Sequence, residues 1–219
     1  MNQKSRRQEL FDHWSEYYNQ SVLDNMQFPF QGYDKVLATI VEQAEIKSSH
    51  VVLDVGIGTG NLTRLLPLPS EQIWGVDFSV RMLDKARESL PGIHLLKIDL
   101  LNRDWFEKII GPFDRILSSY TLHEFKDEIK CSILSNLVEK LSEKDSKVII
   151  GDISFPDEVS FNKAHQFLKG RWDEDEYYWC AETMINLLEQ EGFIVEYTQV
   201  SSCAGIYLIR QSTGQEKMV

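Results

Sequence analysis

The chain reads as an α/β fold built on one doubly wound, mostly parallel sheet. Three observations carry that reading. Apolar runs alternate with amphipathic segments along most of the 219 residues. The run Val51–Val55 breaks into a turn with glycine at Gly56, Gly58 and Gly60, directly before the next amphipathic stretch. The last two runs, Phe193–Val200 and Gly205–Arg210, are separated only by Ser201–Ala204, which predicts an antiparallel hairpin at the sheet edge.

Each element follows from local signals. Phe11–Tyr18 and Tyr33–Ala44 are expected helices, with Asn25–Gly32 a loop between them. In the second helix Val36, Leu37, Ile40, Val41 and Ala44 recur at helical spacing. Val51–Val55 is the first strand. Asn61–Leu66 begins a helix that Pro67 and Pro69 stop. Gln72–Asp77 is the second strand, and Ser79 is placed to cap a helix through Leu90 that Pro91 and Gly92 end. Ile93–Ile98 is a strand and Asp104–Ile110 a short helix. Phe113–Ser119 is a strand. Asp127–Leu141 is a helix with Ile129, Ile133, Leu134, Leu137, Val138 and Leu141 on one face. Lys147–Ile153 is a strand, Phe155–Tyr178 is rich in aromatic and charged residues, and Glu182–Glu191 is a helix ended by Gly192. With the closing hairpin the expectation is a seven-stranded sheet.

No internal repeat or low-complexity linker divides the chain, so residues 1–219 are expected to form a single domain. Asp and Glu outnumber Lys and Arg by 34 to 23, a net charge of −11. That balance argues against a nucleic-acid partner, which calls for a basic face. No run of about 20 apolar residues exists to span a membrane. The opening residues are basic without an apolar core behind them, so no signal peptide is expected. Cys131, Cys180 and Cys203 are scattered, without metal-ligand or disulfide spacing. They read as free thiols in a reducing cytoplasm.

A strand, a glycine turn and a helix start bring backbone N–H groups close to a nucleotide-like ligand. A nicotinamide-type fingerprint wants Gly-x-Gly-x-x-Gly, and here the third glycine position holds Asn61. The turn is instead Gly-x-Gly-x-Gly behind Asp54, with Asn61 placed to cap the new helix. A phosphate-binding P-loop is excluded, because no Gly-Lys-Ser/Thr follows.

Four motifs in order resemble the class I S-adenosylmethionine-dependent methyltransferases. Asp54-Val-Gly56-Ile-Gly58-Thr-Gly60-Asn61 is similar to their first motif, and Trp74-Gly-Val-Asp77-Phe78-Ser79 to their second, continued by Met82, Leu83 and Ala86. Leu96-Lys-Ile-Asp99-Leu100 resembles the segment after their third strand, and Phe113-Asp-Arg-Ile-Leu-Ser118-Ser-Tyr120 their fourth strand. Leu122-His123 stands where many members carry Leu-His-His. The closing hairpin is also the family's habit. Phe11, Asp12, Trp14 and Tyr18-Asn19, then Gly32-Tyr33-Asp34, resemble a group of uncharacterised methyltransferases from low-GC Gram-positive bacteria, which usually show Tyr-Asp where this chain has Tyr18-Asn19.

The resemblance implies a Rossmann-like fold, S-adenosylmethionine as cofactor, and methyl transfer to an unidentified small-molecule acceptor. It implies no metal. Residues 1–45 would form a helical lid, and 155–180 a substrate-covering insertion. Asp77 is expected to accept both ribose hydroxyls. By resemblance Asp99 takes the adenine amino group and the Leu100 N–H a ring nitrogen. Gly56, Gly58 and Gly60 would leave bare backbone where the cofactor lies. Asp54 would bond the loop N–H groups or the methionine amino group. Phe78 is either a lid on adenine or a core residue, and Ser118 either touches the methionine portion or caps. Tyr18, in the aromatic N-terminal segment, matches a recurrent cofactor contact. His123 and Glu124 should face the acceptor, with His123 either a proton acceptor or a structural residue. Arg171–Trp179 is either a solvated face or the wall of a pocket. The chain would act as a monomer or homodimer. Two other classes fit the glycine turn: a non-catalytic regulator that binds adenosylmethionine or adenosylhomocysteine, and an NAD(P)-dependent reductase.

Overall fold

Val52–Val55 is buried at all of its positions, as a strand covered on both faces must be. It forms β1 in a computed structural model of the protein, which describes residues 27–102, 104–142 and 145–212. The other strands are β2 (Ile73–Asp77), β3 (His94–Lys97), β4 (Arg115–Ser119), β5 (Lys147–Phe155), β6 (Trp179–Cys180), β7 (Phe193–Gln199) and β8 (Ala204–Gln211). The sheet runs β3-β2-β1-β4-β5-β8-β7. The pairs from β3 to β5 are all parallel. β8 is antiparallel to both β5 and β7, which is the expected edge hairpin. The seven expected strands are present. The eighth, β6, is a two-residue strand beside Ser154 and Phe155, off the main path. Two residues are too few to show a period, so no local pattern announces this strand.

The helices are α1 (Tyr33–Ala44), α2 (Val80–Ser89), α3 (Trp105–Lys108), α4 (Asp127–Val138), α5 (Glu158–Phe167) and α6 (Ala181–Gln190). The bounds of α1, α2, α3, α4 and α6 agree with the expected helices to within a few residues, whereas α5 falls in the aromatic and charged segment where no helix was expected. The helix expected over Asn61–Leu66 is only a 3₁₀ turn, Thr63–Leu65. Leu66 is already extended, at φ −74° and ψ 134°, because the ring of Pro67 disfavours a helical residue before it. The expected helix over Phe11–Tyr18, and Tyr18 itself, lie outside the described residues.

Alternate strand residues feed two apolar layers. Leu117, Ile149 and Ile206 meet Val36, Leu37 and Ile40 of α1 on one face. Ile116, Val148, Ile150 and Tyr207 meet Ile133 and Leu137 of α4 and Met184 and Leu188 of α6 on the other. Arg115, at the start of β4, is buried and ties α1 down. Its Nε donates to the Ala44 carbonyl at the end of that helix, where an acceptor would otherwise be orphaned. The order of strands reverses at the β1–β4 pair, and a sheet of this kind opens a crevice at the carboxyl ends of those two strands.

Helix α1 packs against Gly151 of β5. A Cβ there would lie 2.7 Å from both Ile40 Cδ1 and Val36 Cγ1. Gly151→Val is therefore expected to cost roughly 1–3 kcal/mol through overpacking. Urea unfolding should show a lower midpoint, and an unchanged midpoint would mean that α1 does not rest there.

Candidate active site

The residues after β1 fold back over β2. The N–H groups of Gly56 and Ile57 both donate to the Val76 carbonyl, at 2.8 and 3.0 Å, and the Gly58 N–H donates to Asp77 Oδ2 at 3.0 Å. Gly56, Gly58 and Gly60 hold φ of +73°, +55° and +84°, a left-handed region that costs other residues. The three glycines nevertheless do different work. A Cβ on Gly56 would collide with the Thr121 side chain at 2.1 Å, and one on Gly60 with Leu90 of the segment after α2 at 2.8 Å. At Gly58 the nearest atom is 4.0 Å away, so this glycine alone faces open space. Gly56 and Gly58 line the crevice. Gly60, expected beside the ligand, instead admits Leu90.

The crevice is lined by the ends of β2 and β4 and by the turns that follow β1, β2, β3 and β4. Asp77 closes β2 at its wall, with Oδ2 on Gly58 and Oδ1 accepting from the Ser79 N–H at 2.8 Å. Ser79 caps α2 as expected, accepting from the Met82 N–H at 3.2 Å. Past β3, Asp99 and Leu100 line the crevice together with Phe78, Met82 and Ile98. Asp99 Oδ1 also accepts from the Leu101 N–H, so the residue forms a turn as well as a wall.

Asp54 is buried beneath this floor. Its Oδ2 accepts from Thr63 Oγ1 at 2.6 Å, and Oδ1 has no partner. Burial raises its pKa; the Thr63 hydrogen bond opposes the shift and Asp77 adds to it, leaving a value of about 7. The loop N–H groups expected to bind Asp54 go to Val76 and Asp77 instead. Asn61 does not cap a helix. Its Nδ2 donates to the Tyr33 hydroxyl at 3.1 Å, which ties α1 to the glycine turn.

Beyond β4 two expectations need correction. Ser118 does not line the crevice: it is fully buried, and its hydroxyl donates to the Val55 carbonyl at 2.7 Å. Ser119, on the opposite strand face, lines it instead. His123, one of whose two expected roles was proton acceptor, does not line the crevice and is paired at both ring nitrogens. Nδ1 lies 2.6 Å from Asp152 Oδ1, and Nε2 lies 3.6 Å from Glu176 Oε1. Burial alone would lower its pKa, but Asp152, Glu176 and Glu124 together raise it to about 9. An imidazolium at neutral pH has no lone pair to accept a proton, which leaves the structural role. Asp152 also accepts from the N–H groups of Leu122 and His123, at 2.9 and 3.1 Å. The pair thus fixes the turn Leu122–Glu124, and Glu124 and Phe125 line the crevice.

Tyr33, Tyr120 and Thr121 also line it, and the sequence had not singled out the last two. Tyr120 is a non-glycine residue at φ 49°, a conformation common at functional sites. Its ring lies 5.1 Å from Tyr33 and 5.5 Å from Phe30, and its buried hydroxyl has no partner. No local signal announces a left-handed tyrosine. The Arg171–Trp179 segment divides. Trp179 is buried in β6 below the Lys130 ammonium, which donates to the Tyr177 carbonyl at 2.6 Å, and the Tyr177 N–H donates to the His123 carbonyl at 2.6 Å. Among the described residues no group of His, Cys, Asp and Glu is arranged to hold a metal, and no helix is long and apolar enough to cross a membrane.

A sheet in this order, with a left-handed glycine turn over its switch point and carboxylates closing its second and third strands, defines the class I methyltransferase fold. A family model described as a methyltransferase domain matches residues 52–144. An uncharacterised methyltransferase of Geobacillus sp. is 30% identical over 202 residues, covering 87% of this chain and 91% of its own. A second, from Geobacillus kaustophilus, is 29% identical across 94% of this chain and 97% of its own. Among solved structures, magnesium protoporphyrin IX methyltransferase from Synechocystis with bound adenosylhomocysteine superposes with a TM-score of 0.67 at 17% identity, covering 95% of this chain and 100% of that one. The DhpI–SAM–HEP complex gives 0.67 at 14% identity, over 96% and 99%. The chain belongs to this family: it is an S-adenosylmethionine-dependent methyltransferase.

A group whose pKa is raised on folding stabilises most below its unfolded value and loses that stabilisation as pH climbs through the folded value. For His123 this window runs from 6.5 to about 9. The stability gap between the wild type and His123→Gln, on the order of 3 kcal/mol near pH 6, should narrow through that window. Urea titrations at about pH 6 and about pH 10 measure it, and a constant gap would mean that His123 is neutral in the fold.

Proposed function

We propose that this methyltransferase acts on a small-molecule acceptor that enters beside Tyr33, Tyr120 and Glu124, with the cofactor along the glycine turn. The observation that carries the reading is the crevice itself. Its acidic residues, Asp77 and Asp99, and its apolar ones, Phe78, Met82 and Ile98, stand in the order that a nucleoside needs.

The residues suit adenosylmethionine end by end. Gly58 offers bare backbone to the methionine end, whereas Asp54, expected to touch the methionine amino group, is buried beneath the turn on Thr63 and does not line the crevice. Asp77 is held by Gly58 and Ser79 in one orientation at the crevice wall, placed for ribose hydroxyls. Asp99 and Leu100 are placed for the adenine edge, and Phe78, Met82 and Ile98 for its faces. Bound adenosylmethionine supplies an electrophilic methyl group and a neutral leaving group. The chain's own part is alignment and exclusion of water, which Tyr33, Tyr120 and Phe125 perform at the acceptor end. Glu124 is the carboxylate at that end, and the Asp152–His123 pair positions it through the turn.

A net charge of −11 supports a small acceptor over a nucleic acid. We read residues 1–219 as one domain, with 1–45 a lid and 155–180 a covering insertion. Free Cys131, Cys180 and Cys203 support a cytoplasmic setting.

Calorimetry should show binding of adenosylmethionine and none of NAD. Asp77→Asn should weaken it by about tenfold or more, the equivalent of one charge-assisted hydrogen bond. Gly56→Val should abolish it through the clash with Thr121 while the protein stays folded by circular dichroism. Normal affinity in a folded Gly56→Val protein would overturn the placement of the cofactor. A panel of small acceptors followed by adenosylhomocysteine release then tests the acceptor class.

A further inference from the structure

A second cavity of about 470 Å³ opens at the same end of the sheet. Phe155 lies on its wall at the carboxyl end of β5, and β5 runs parallel to the strands that end at the crevice. Cys203 precedes Ala204, which pairs with Ile153 near that same end. Phe28 and Leu168 complete an apolar lining, and Phe167, 86% exposed, stands at the mouth. A large apolar side chain left in water beside a cavity marks a contact surface.

Two sets of rings, linked along the chain through Phe28–Phe30, stand between this cavity and the crevice. Phe28 packs on Trp172 at 5.8 Å and on Tyr178 at 5.5 Å, and Trp172 packs on Phe155 at 5.8 Å. Two residues along the chain from Phe28, Phe30 meets Tyr120, which lines the crevice. The Tyr120 hydroxyl in this partition is buried without a partner. Burial, then Cys203, Asp152, Tyr33 and Asp34, push its pKa up, so it stays a neutral donor. A buried donor with no acceptor costs stability unless a ligand supplies one.

The charge at the cavity is unlike that of the chain. Among the described residues lining it, the only charged one is Arg171, whose Nη1 donates to Gln27 Oε1 at 2.6 Å. The guanidinium carries five donors, so that bond leaves a fork able to grip an oxyanion. In a protein of net charge −11, a cation at an aromatic cavity selects its occupant by charge.

We propose that this cavity seats the body of the methyl acceptor, an apolar or aromatic carboxylate, with Arg171 holding the anionic group and the Tyr120 hydroxyl bonding the end that faces the crevice. The proposal rests on reading the crevice as the cofactor site. It names a class of molecule, an apolar body with an oxyanion at one end, and the residues that read each part.

The test titrates 4-phenylbutyrate, 4-phenylbutanol and 4-phenylbutylamine into protein saturated with adenosylhomocysteine. The carboxylate should bind about tenfold or more tightly than the amine, as one charge-assisted contact allows. Arg171→Gln, at an exposed position, should erase that preference and leave the alcohol unchanged. Leu168→Trp should fill the cavity and weaken all three probes by about tenfold or more. Tyr120→Phe should weaken the carboxylate several-fold, and the Arg171 and Leu168 variants should keep the affinity for adenosylhomocysteine. Equal binding of carboxylate and amine, no binding by any probe, or indifference to Leu168→Trp would each overturn the proposal. Adenosylhomocysteine affinity is read separately. Its absence would overturn the reading of the crevice, whereas failure of the carboxylate with adenosylhomocysteine bound overturns the cavity proposal alone.

Discussion

Gly56 and Ile57 donate to one carbonyl, that of Val76, and this pair of hydrogen bonds turns the chain leaving β1 over the end of β2. Much of the site depends on that turn. It delivers the Gly58 N–H to Asp77, whose other oxygen takes the Ser79 N–H, and Ser79 caps α2. Loop, strand end and helix start are therefore one hydrogen-bonded unit. The turn is so tight that Thr121 occupies the space a Cβ on Gly56 would need, while Leu90 occupies that at Gly60. Thr121 in turn donates to the Ser119 carbonyl, so the end of β4 is pressed against the loop. The left-handed Tyr120 between them is how the chain makes that corner.

The opposite half of the site is held by buried charge. Asp152, fully buried, accepts from the N–H groups of Leu122, His123 and Ile153 and from the imidazole of His123. Lys130, also fully buried, links Asp127 to the Tyr177 carbonyl under the ring of Trp179. Such groups are expensive to bury and more expensive to leave unpaired. Their geometry is accordingly demanding: the turn that carries Glu124 and the strand that carries Trp179 are fixed relative to each other across more than one crossover. An acidic chain spends few cations in its interior, and Arg115, Lys130 and His123 each join segments distant in sequence.

Sequence alone carried the sheet, the hairpin and the glycine turn, because these are written in local signals. A run of β-branched and aliphatic residues, three glycines in register, and carboxylates closing two strands need no tertiary knowledge. The errors came where a long-range partner decides. Asn61 has the side chain of a cap, yet Tyr33 claims it. Gly60 has the freedom expected of a ligand-facing glycine, yet Leu90 fills the space. His123 has the chemistry of a base, yet Asp152, on another strand, holds it charged. Tyr120 and Thr121 looked ordinary, since neither a positive φ nor a contact with a glycine across the sheet leaves a mark on neighbouring residues.

This division has a consequence for how such a protein can change. The donor side is built from residues 54–100, nearly contiguous and locked by backbone hydrogen bonds. The proposed acceptor side would draw on four separate stretches, around Phe28–Tyr33, Tyr120–Phe125, Phe155–Arg171 and Ser202–Cys203. Substitutions in any one of those stretches reshape the acceptor cavity without disturbing the carbonyl of Val76 or the carboxylate of Asp77. The free energy that holds the cofactor is thereby uncoupled from the free energy that selects the acceptor, as expected for sites with few shared partners. A family model matched over residues 52–144 covers the strands and turns around the glycine loop, whereas the proposed acceptor cavity is lined wholly by residues outside that span.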